Sequence, residues 1–150
     1  MSTVPGWSET DRAGRIRRVV RPAFAVVLAL HGIVHWIGFA VPFGLMTTES
    51  NPFTTTALWG LVDLGDAGAK FLGLAYLALI VPFVVVAVGV WREARWALPL
   101  TVVVAALSAV VCALGSPSAV VGLVLNVVVI AIVLCVPRLL TAWERPFGRG

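Results

Sequence analysis

The segment PAFAVVLALHGIVHWIGFAV, residues 22–41, decides the fold: it carries no formal charge, and near its middle stand two histidines, His31 and His35. A helix of about 20 residues crosses a hydrocarbon core of about 30 Å, so this segment has the length of one membrane span. An imidazole at that depth has left water for a medium that penalises polar groups, so the pair is also where a functional reading begins.

Three further stretches have the same character, at about 68–90, 96–114 and 119–136. Of the 150 residues 60% are hydrophobic and 12% charged, with a mean hydropathy of +1.02. A soluble domain carries about 25% charge, so this composition belongs in lipid. Between Pro22 and Val62 the one formal charge is Glu49, and between Trp96 and Pro137 there is none. Apolar residues lie on every side of the helical wheel, as lipid-facing or buried helices require. A transmembrane β-barrel would need alternating segments of about 10 residues, a pattern absent here. The expected fold is all-α, an integral membrane four-helix bundle forming one domain over residues 1–150. Residues 1–16, rich in Ser, Thr, Gly and charge, are expected to be a flexible cytoplasmic tail.

Charge sets the orientation. With four crossings, ten of the eleven basic residues fall on one side: Arg12, Arg15, Arg17, Arg18 and Arg21, then Arg92 and Arg95, then Arg138, Arg145 and Arg149. The other side holds Lys70 with Glu49, Asp63 and Asp66. The positive-inside rule places both termini in the cytoplasm. The pI near 10 therefore reads as topology and attraction to anionic lipid rather than as a nucleic-acid surface. The first apolar stretch is longer than the 7–15 residues of a signal-peptide core, so it is expected to remain as a span.

The connections are unequal. Trp91–Trp96 is a tight inner turn with an interfacial tryptophan at each end, and Gly115–Ser118 is a minimal outer turn. The first outer loop, about 44–67, is far longer than the 2–8 residues usual between bundled helices. Its Phe53, Leu58, Trp59, Leu61 and Val62 are expected to form the apolar face of a short interfacial helix. Two roles are open for it: a cap on the bundle, or a lid in which Trp59, Asp63 and Asp66 cover an outward-facing cavity.

Depth draws the polar residues together. Counting 1.5 Å per residue from the outer helix ends, His35 lies about 9 Å down, His31 about 15 Å, Tyr76 about 12 Å, Ser108 about 9 Å and Asn126 about 10 Å. Each span thus contributes to one polar layer in the outer half of the membrane. That layer is either interhelical packing beside small residues such as Gly32, Gly38, Gly73 and Gly122, or a site for a small hydrophobic ligand or protons. A zinc site needs three protein ligands, and two histidines a turn apart cannot flank one haem, so neither a metal nor another cofactor is expected. Cys112 and Cys135 fall near opposite membrane faces, too far apart for a disulfide.

No GxSxG, phosphate-binding loop or dinucleotide fingerprint occurs, and no catalytic residue is assigned. The run Leu30–Phe39, with His35-Trp36-Ile37-Gly38-Phe39 at its end, and the element Gly122-Leu-Val-Leu-Asn126 resemble small four-span bacterial membrane proteins with a His-x-x-Gly-Phe first helix. In size and helix number the chain is also similar to the DoxX-like superfamily, though no active residue of that group matches here. The Val- and Arg-rich, Lys-poor composition is compatible with a high-GC bacterium. The expected protein is a multi-pass component of a bacterial plasma (inner) membrane. It is expected to be a non-enzymatic accessory or scaffold subunit or a homo-oligomer, with lipids and membrane proteins as partners.

Overall fold

The computed structural model describes residues 9–47, 49 and 52–136, with side chains described from Gly14 onward. Four helices form an all-α bundle: α1 Glu9–Ala40, α2 Gly65–Trp91, α3 Ala97–Leu114 and α4 Val120–Cys135. Between α1 and α2 lies a small antiparallel hairpin of β1 Thr56–Ala57 and β2 Val62–Asp63, paired Thr56 to Asp63 and Ala57 to Val62. Three helices are long and apolar enough to cross a membrane, Gly14–Ala40 within α1, then α2 and α3, while α4 is a shorter apolar helix. The chain is therefore a membrane-embedded protein. The second, third and fourth helices begin and end within three residues of the expected boundaries.

Two expectations are corrected. The helix of α1 begins at Glu9, so the tail expected over 1–16 is helical from that residue on, and residues 1–8 lie outside the described part. Pro22 lies inside this helix instead of opening it. A proline there removes one backbone bond, which water or polar side chains near the membrane surface can replace. The interfacial helix expected in the outer loop is replaced by the hairpin. Leu58, Trp59 and Gly60 all adopt positive φ, at 50°, 58° and 85°, which no right-handed helix allows. The reason lies outside the loop. Leu58 N–H donates to the Leu114 carbonyl at 3.1 Å and Trp59 N–H to the Ser116 carbonyl at 2.9 Å. The final carbonyls of a helix have no partners within it, so the hairpin tip, closed on itself by bonds from Gly60 N–H to Ala57 and from Leu61 N–H to Leu58, spends its Leu58 and Trp59 donors on the end of α3 and the turn after it.

Helix ends are closed locally. Leu45 N–H reaches the Ala40 carbonyl and Gly44 N–H that of Val41, with Gly44 at φ 68°, the left-handed residue that such a helix end requires. The same pair of bonds ends α2, from Ala94 to Gly89 and from Glu93 to Val90, but there the left-handed position is Glu93, at φ 58°. A glutamate in that conformation is strained, and its carboxylate forms an ion pair with Arg21 of α1. That pair ties the basic end of α1 to the α2–α3 turn.

The closest helix pairs are α1 with α2, α3 with α4, and α2 with α3. An apolar core fills the half of the bundle toward that turn, built on Phe24, Leu28, Leu79, Phe83, Val86, Val104 and Val129. Glycines let α1 and α2 approach closely. A Cβ on Gly32 would stand 2.6 Å from Cβ of Phe83, and one on Gly38 would stand 2.6 Å from the Tyr76 ring. Gly14 has open space at the same point. Gly32→Ala should therefore destabilise the protein by about 1–3 kcal/mol, the usual range for overpacking. Gly14→Ala, inside the same helix but with open space at its Cβ, should leave stability unchanged or raise it by up to about 1 kcal/mol, and thermal unfolding of the two variants in one detergent distinguishes these outcomes.

Candidate functional site

The polar layer is assembled from three helices and floored by the fourth. α1 presents His31 and His35 one turn apart, so both rings leave the same face. α3 presents Ser108 and Cys112 at the same spacing, α4 presents Asn126, and α2 contributes Phe83 and Tyr76. His31, His35, Ser108 and Asn126 are all at most 5% exposed. The sequence places these four at one depth, and the structure brings them into contact.

Their hydrogen bonds have a determined direction. His35 Nδ1 lies 2.8 Å from the carbonyl oxygen of His31, and a carbonyl can only accept, so Nδ1 carries the proton. With the ring neutral, Nε2 of His35 then accepts, and the Ser108 hydroxyl donates to it at 2.8 Å. Ser108 Oγ accepts in turn from Asn126 Nδ2 at 2.8 Å. The Asn126 amide sends its other proton to the Gly122 carbonyl at 2.9 Å, and its Oδ1 accepts from His31 Nε2 at 3.1 Å. The sequence of donors runs from His31 through Asn126, Ser108 and His35 back to the His31 backbone. It is a closed circuit joining α1, α3 and α4, and its members hold opposite tautomers: His31 is protonated on Nε2 and His35 on Nδ1.

Rings pack the circuit from α2. Phe83, with no exposed surface, meets His31 edge to face at a centroid distance of 4.8 Å and His35 at 5.2 Å. The two imidazoles meet each other edge to face at 4.9 Å. Tyr76 lies 5.7 Å from His35, but its hydroxyl donates to the Val111 carbonyl at 3.2 Å. It thus roofs the layer as a ring and ties α2 to α3 as a phenol.

Two members of the site were not singled out from the sequence. Cys112 lies 3.7 Å from Asn126 Nδ2 and 3.9 Å from Ser108 Oγ, within sulfur hydrogen-bond range, so it borders the circuit. Its position four residues after Ser108 is the signal that could have placed it. Phe83 follows Tyr76 by seven residues, again one helix face. Gly122 is equally constrained, since a Cβ there would stand 3.0 Å from Cys112 Sγ.

The three residues considered for a lid lie in the α1–α2 connection and the first turn of α2. Trp59 is an exposed residue of the hairpin tip. Asp63 accepts from Gly65 N–H at 3.0 Å, and that bond together with one from Thr55 holds its carboxyl below the usual carboxylate range. Asp66 is exposed in the first turn of α2. Among the described residues no group of three or more His, Cys, Asp or Glu is placed to hold a metal ion. Cys112 is a buried and Cys135 an exposed free thiol.

Comparison with protein-family models, with curated proteins and with solved structures finds no match to this chain. The resemblance to four-span and DoxX-like proteins rests on its short motifs and on helix number.

A circuit of this kind implies measurable coupling across the bundle. For side chains that hydrogen-bond between membrane helices, double-mutant cycles give coupling energies of about 0.6 kcal/mol on average and about 1.7 kcal/mol at most. A double-mutant cycle of His31→Ala and Asn126→Ala, read by unfolding in a fixed detergent, should fall within that range. The same cycle between His31→Ala and Thr101→Ala should give nearly zero, because Thr101 bonds the Ala97 carbonyl of its own helix.

Proposed function

We propose that this chain is a small, non-enzymatic four-span protein of a bacterial plasma membrane, acting as an accessory or scaffold subunit or as a homo-oligomer. Both termini are cytoplasmic. The supporting observation is the closure of the polar layer. A site that waits for a polar ligand keeps buried donors unanswered, whereas each N–H and O–H of the His31, His35, Ser108, Asn126 and Tyr76 side chains is donated to another member or to a helix carbonyl. Among the described residues the one buried side-chain nitrogen or oxygen without a partner is Nε of Arg21, about 15 Å along α1 from His31.

The outer faces of the bundle support the same reading. Val121, Phe71 and Val81 are each more than two-thirds exposed, which suits contact with lipid chains and with neighbouring membrane proteins. The ion pair of Arg21 with Glu93 keeps the basic end of α1 beside the turn that carries Arg92 and Arg95, in line with one positively charged cytoplasmic side. Arg138, Arg145 and Arg149 lie outside the described residues.

Native mass spectrometry of the gently extracted protein, beside His31→Leu/His35→Leu, tests the function. The wild type should carry no stoichiometric quinone, isoprenoid or metal, and the double variant should keep its oligomeric state. A small molecule lost only in the folded double variant would overturn the proposal. For the topology, Ser118→Cys and Arg95→Cys, each made in a Cys135→Ala background, should react with a membrane-impermeant thiol reagent from opposite sides of the membrane.

A further inference from the structure

We propose that the tip of the β1–β2 hairpin is a wedge in the outer leaflet, with Trp59 and Leu61 seated at the boundary between lipid headgroups and acyl chains. The proposal rests on α3 and α4 crossing the bilayer, as in the function proposed above.

Helix length is the first observation. α2 has 27 residues and α3 has 18, and the two start level at the Trp91–Ala97 turn, so α2 rises about 13 Å beyond the outer end of α3. At 18 and 16 residues, α3 and α4 are about 27 and 24 Å long, short of a hydrocarbon core of about 30 Å. Their connecting turn therefore ends at or slightly below the outer boundary of the hydrocarbon. The contact of Gly115 with the Tyr76 hydroxyl, well inside α2, agrees with that level. Bare backbone carbonyls at such a level are costly, because lipid offers no donor. The hairpin tip supplies the donors: N–H of Leu58 for Leu114 and N–H of Trp59 for Ser116. The tip is thus held at the membrane boundary by the same bonds that seal the turn.

The distribution of side chains matches a wedge. Its stem is polar, with Thr54 and Thr56 sharing a hydroxyl bond and Asp63 closing on Gly65. Its tip is apolar and open: Leu61 is 83% exposed and Trp59 55%. The apolar surface does not stop at the hairpin. Val110, Val120 and Val121, in the helix turns beside the carbonyls that the tip seals, are also exposed, so the tip continues the lipid-facing surface of α3 and α4. A tryptophan and a leucine at that height fit the interfacial region, where an amphipathic ring is favoured. The left-handed φ of Leu58 and Trp59 is a strain the chain accepts in order to hold this geometry.

The emission of Trp59 reports its surroundings, as the difference between the full-length protein and its Trp59→Phe variant in liposomes. Lipids brominated high on the acyl chain should quench most of that difference, and aqueous iodide should leave it largely intact. Leu61→Asp should draw the tip into water and make Trp59 accessible to iodide, while Leu61→Ala should not. Quenching of Trp59 by iodide and not by brominated lipid in the wild type would overturn the proposal. Protection from both quenchers would overturn it too, assigning the tip to a protein partner. The topology cysteines keep the two readings apart. If Ser118→Cys and Arg95→Cys label from opposite sides while Trp59 meets iodide, the wedge fails and the four-span reading stands. If both label from one side, the four-span reading itself fails.

Discussion

The proton on Nδ1 of His35 orients the half of the bundle toward the α3–α4 turn. Because the His31 carbonyl can only accept, that one donor makes Nε2 of the same ring an acceptor, turns the Ser108 hydroxyl toward it, and leaves Ser108 to accept from Asn126. Asn126 must then present its oxygen to His31. In hydrocarbon a reversed amide or a wrong tautomer would leave a donor facing a donor, with no water to relieve it. Directional bonds therefore set how α1, α3 and α4 are rotated about their axes. Apolar packing alone is less particular, because valine-rich surfaces meet in many ways with similar energy.

The second constraint is a difference in length. A long pair of helices, α1 and α2, stands beside a short pair, α3 and α4, and the chain joining the long pair folds over the end of the short one. Polar layer, Tyr76, α3–α4 turn and hairpin form successive levels. Carbonyls at the end of α3 take bonds from each level: the Tyr76 phenol adds a second donor to Val111, the Ser116 hydroxyl serves Cys112, and the hairpin serves Leu114 and Ser116. The opposite end is closed differently, by apolar side chains and the ion pair of Arg21 with Glu93.

Much of this could be read from the chain because membrane burial leaves long uniform signals. Spans appear as gaps between charges, and depth follows from a fixed rise per residue, which is why His31, His35, Ser108 and Asn126 could be grouped before their contacts were known. Cys112 and Phe83 were equally accessible through helical spacing but were masked by their apolar character. The hairpin was not legible: its conformation depends on carbonyls some 55 residues later in the chain, at Leu114 and Ser116, and its local composition suits an amphipathic helix equally well. The early start of α1 was hidden for another reason, since hydropathy ends where the arginines begin, while the backbone has no cause to stop there.

The circuit also has a consequence for how the protein is made. His31 finds its partner 95 residues later, on the last helix, and His35 finds Ser108 only 73 residues on. At synthesis rates of about 5–20 residues per second, α1 waits roughly 5–20 s for α4 to emerge. During that interval one imidazole bond is already available, because the His35 donor and its acceptor belong to the same helical turn. The remaining polar groups of α1 gain their side-chain partners only with α3 and α4, so the polar layer is completed by the last helix of the bundle.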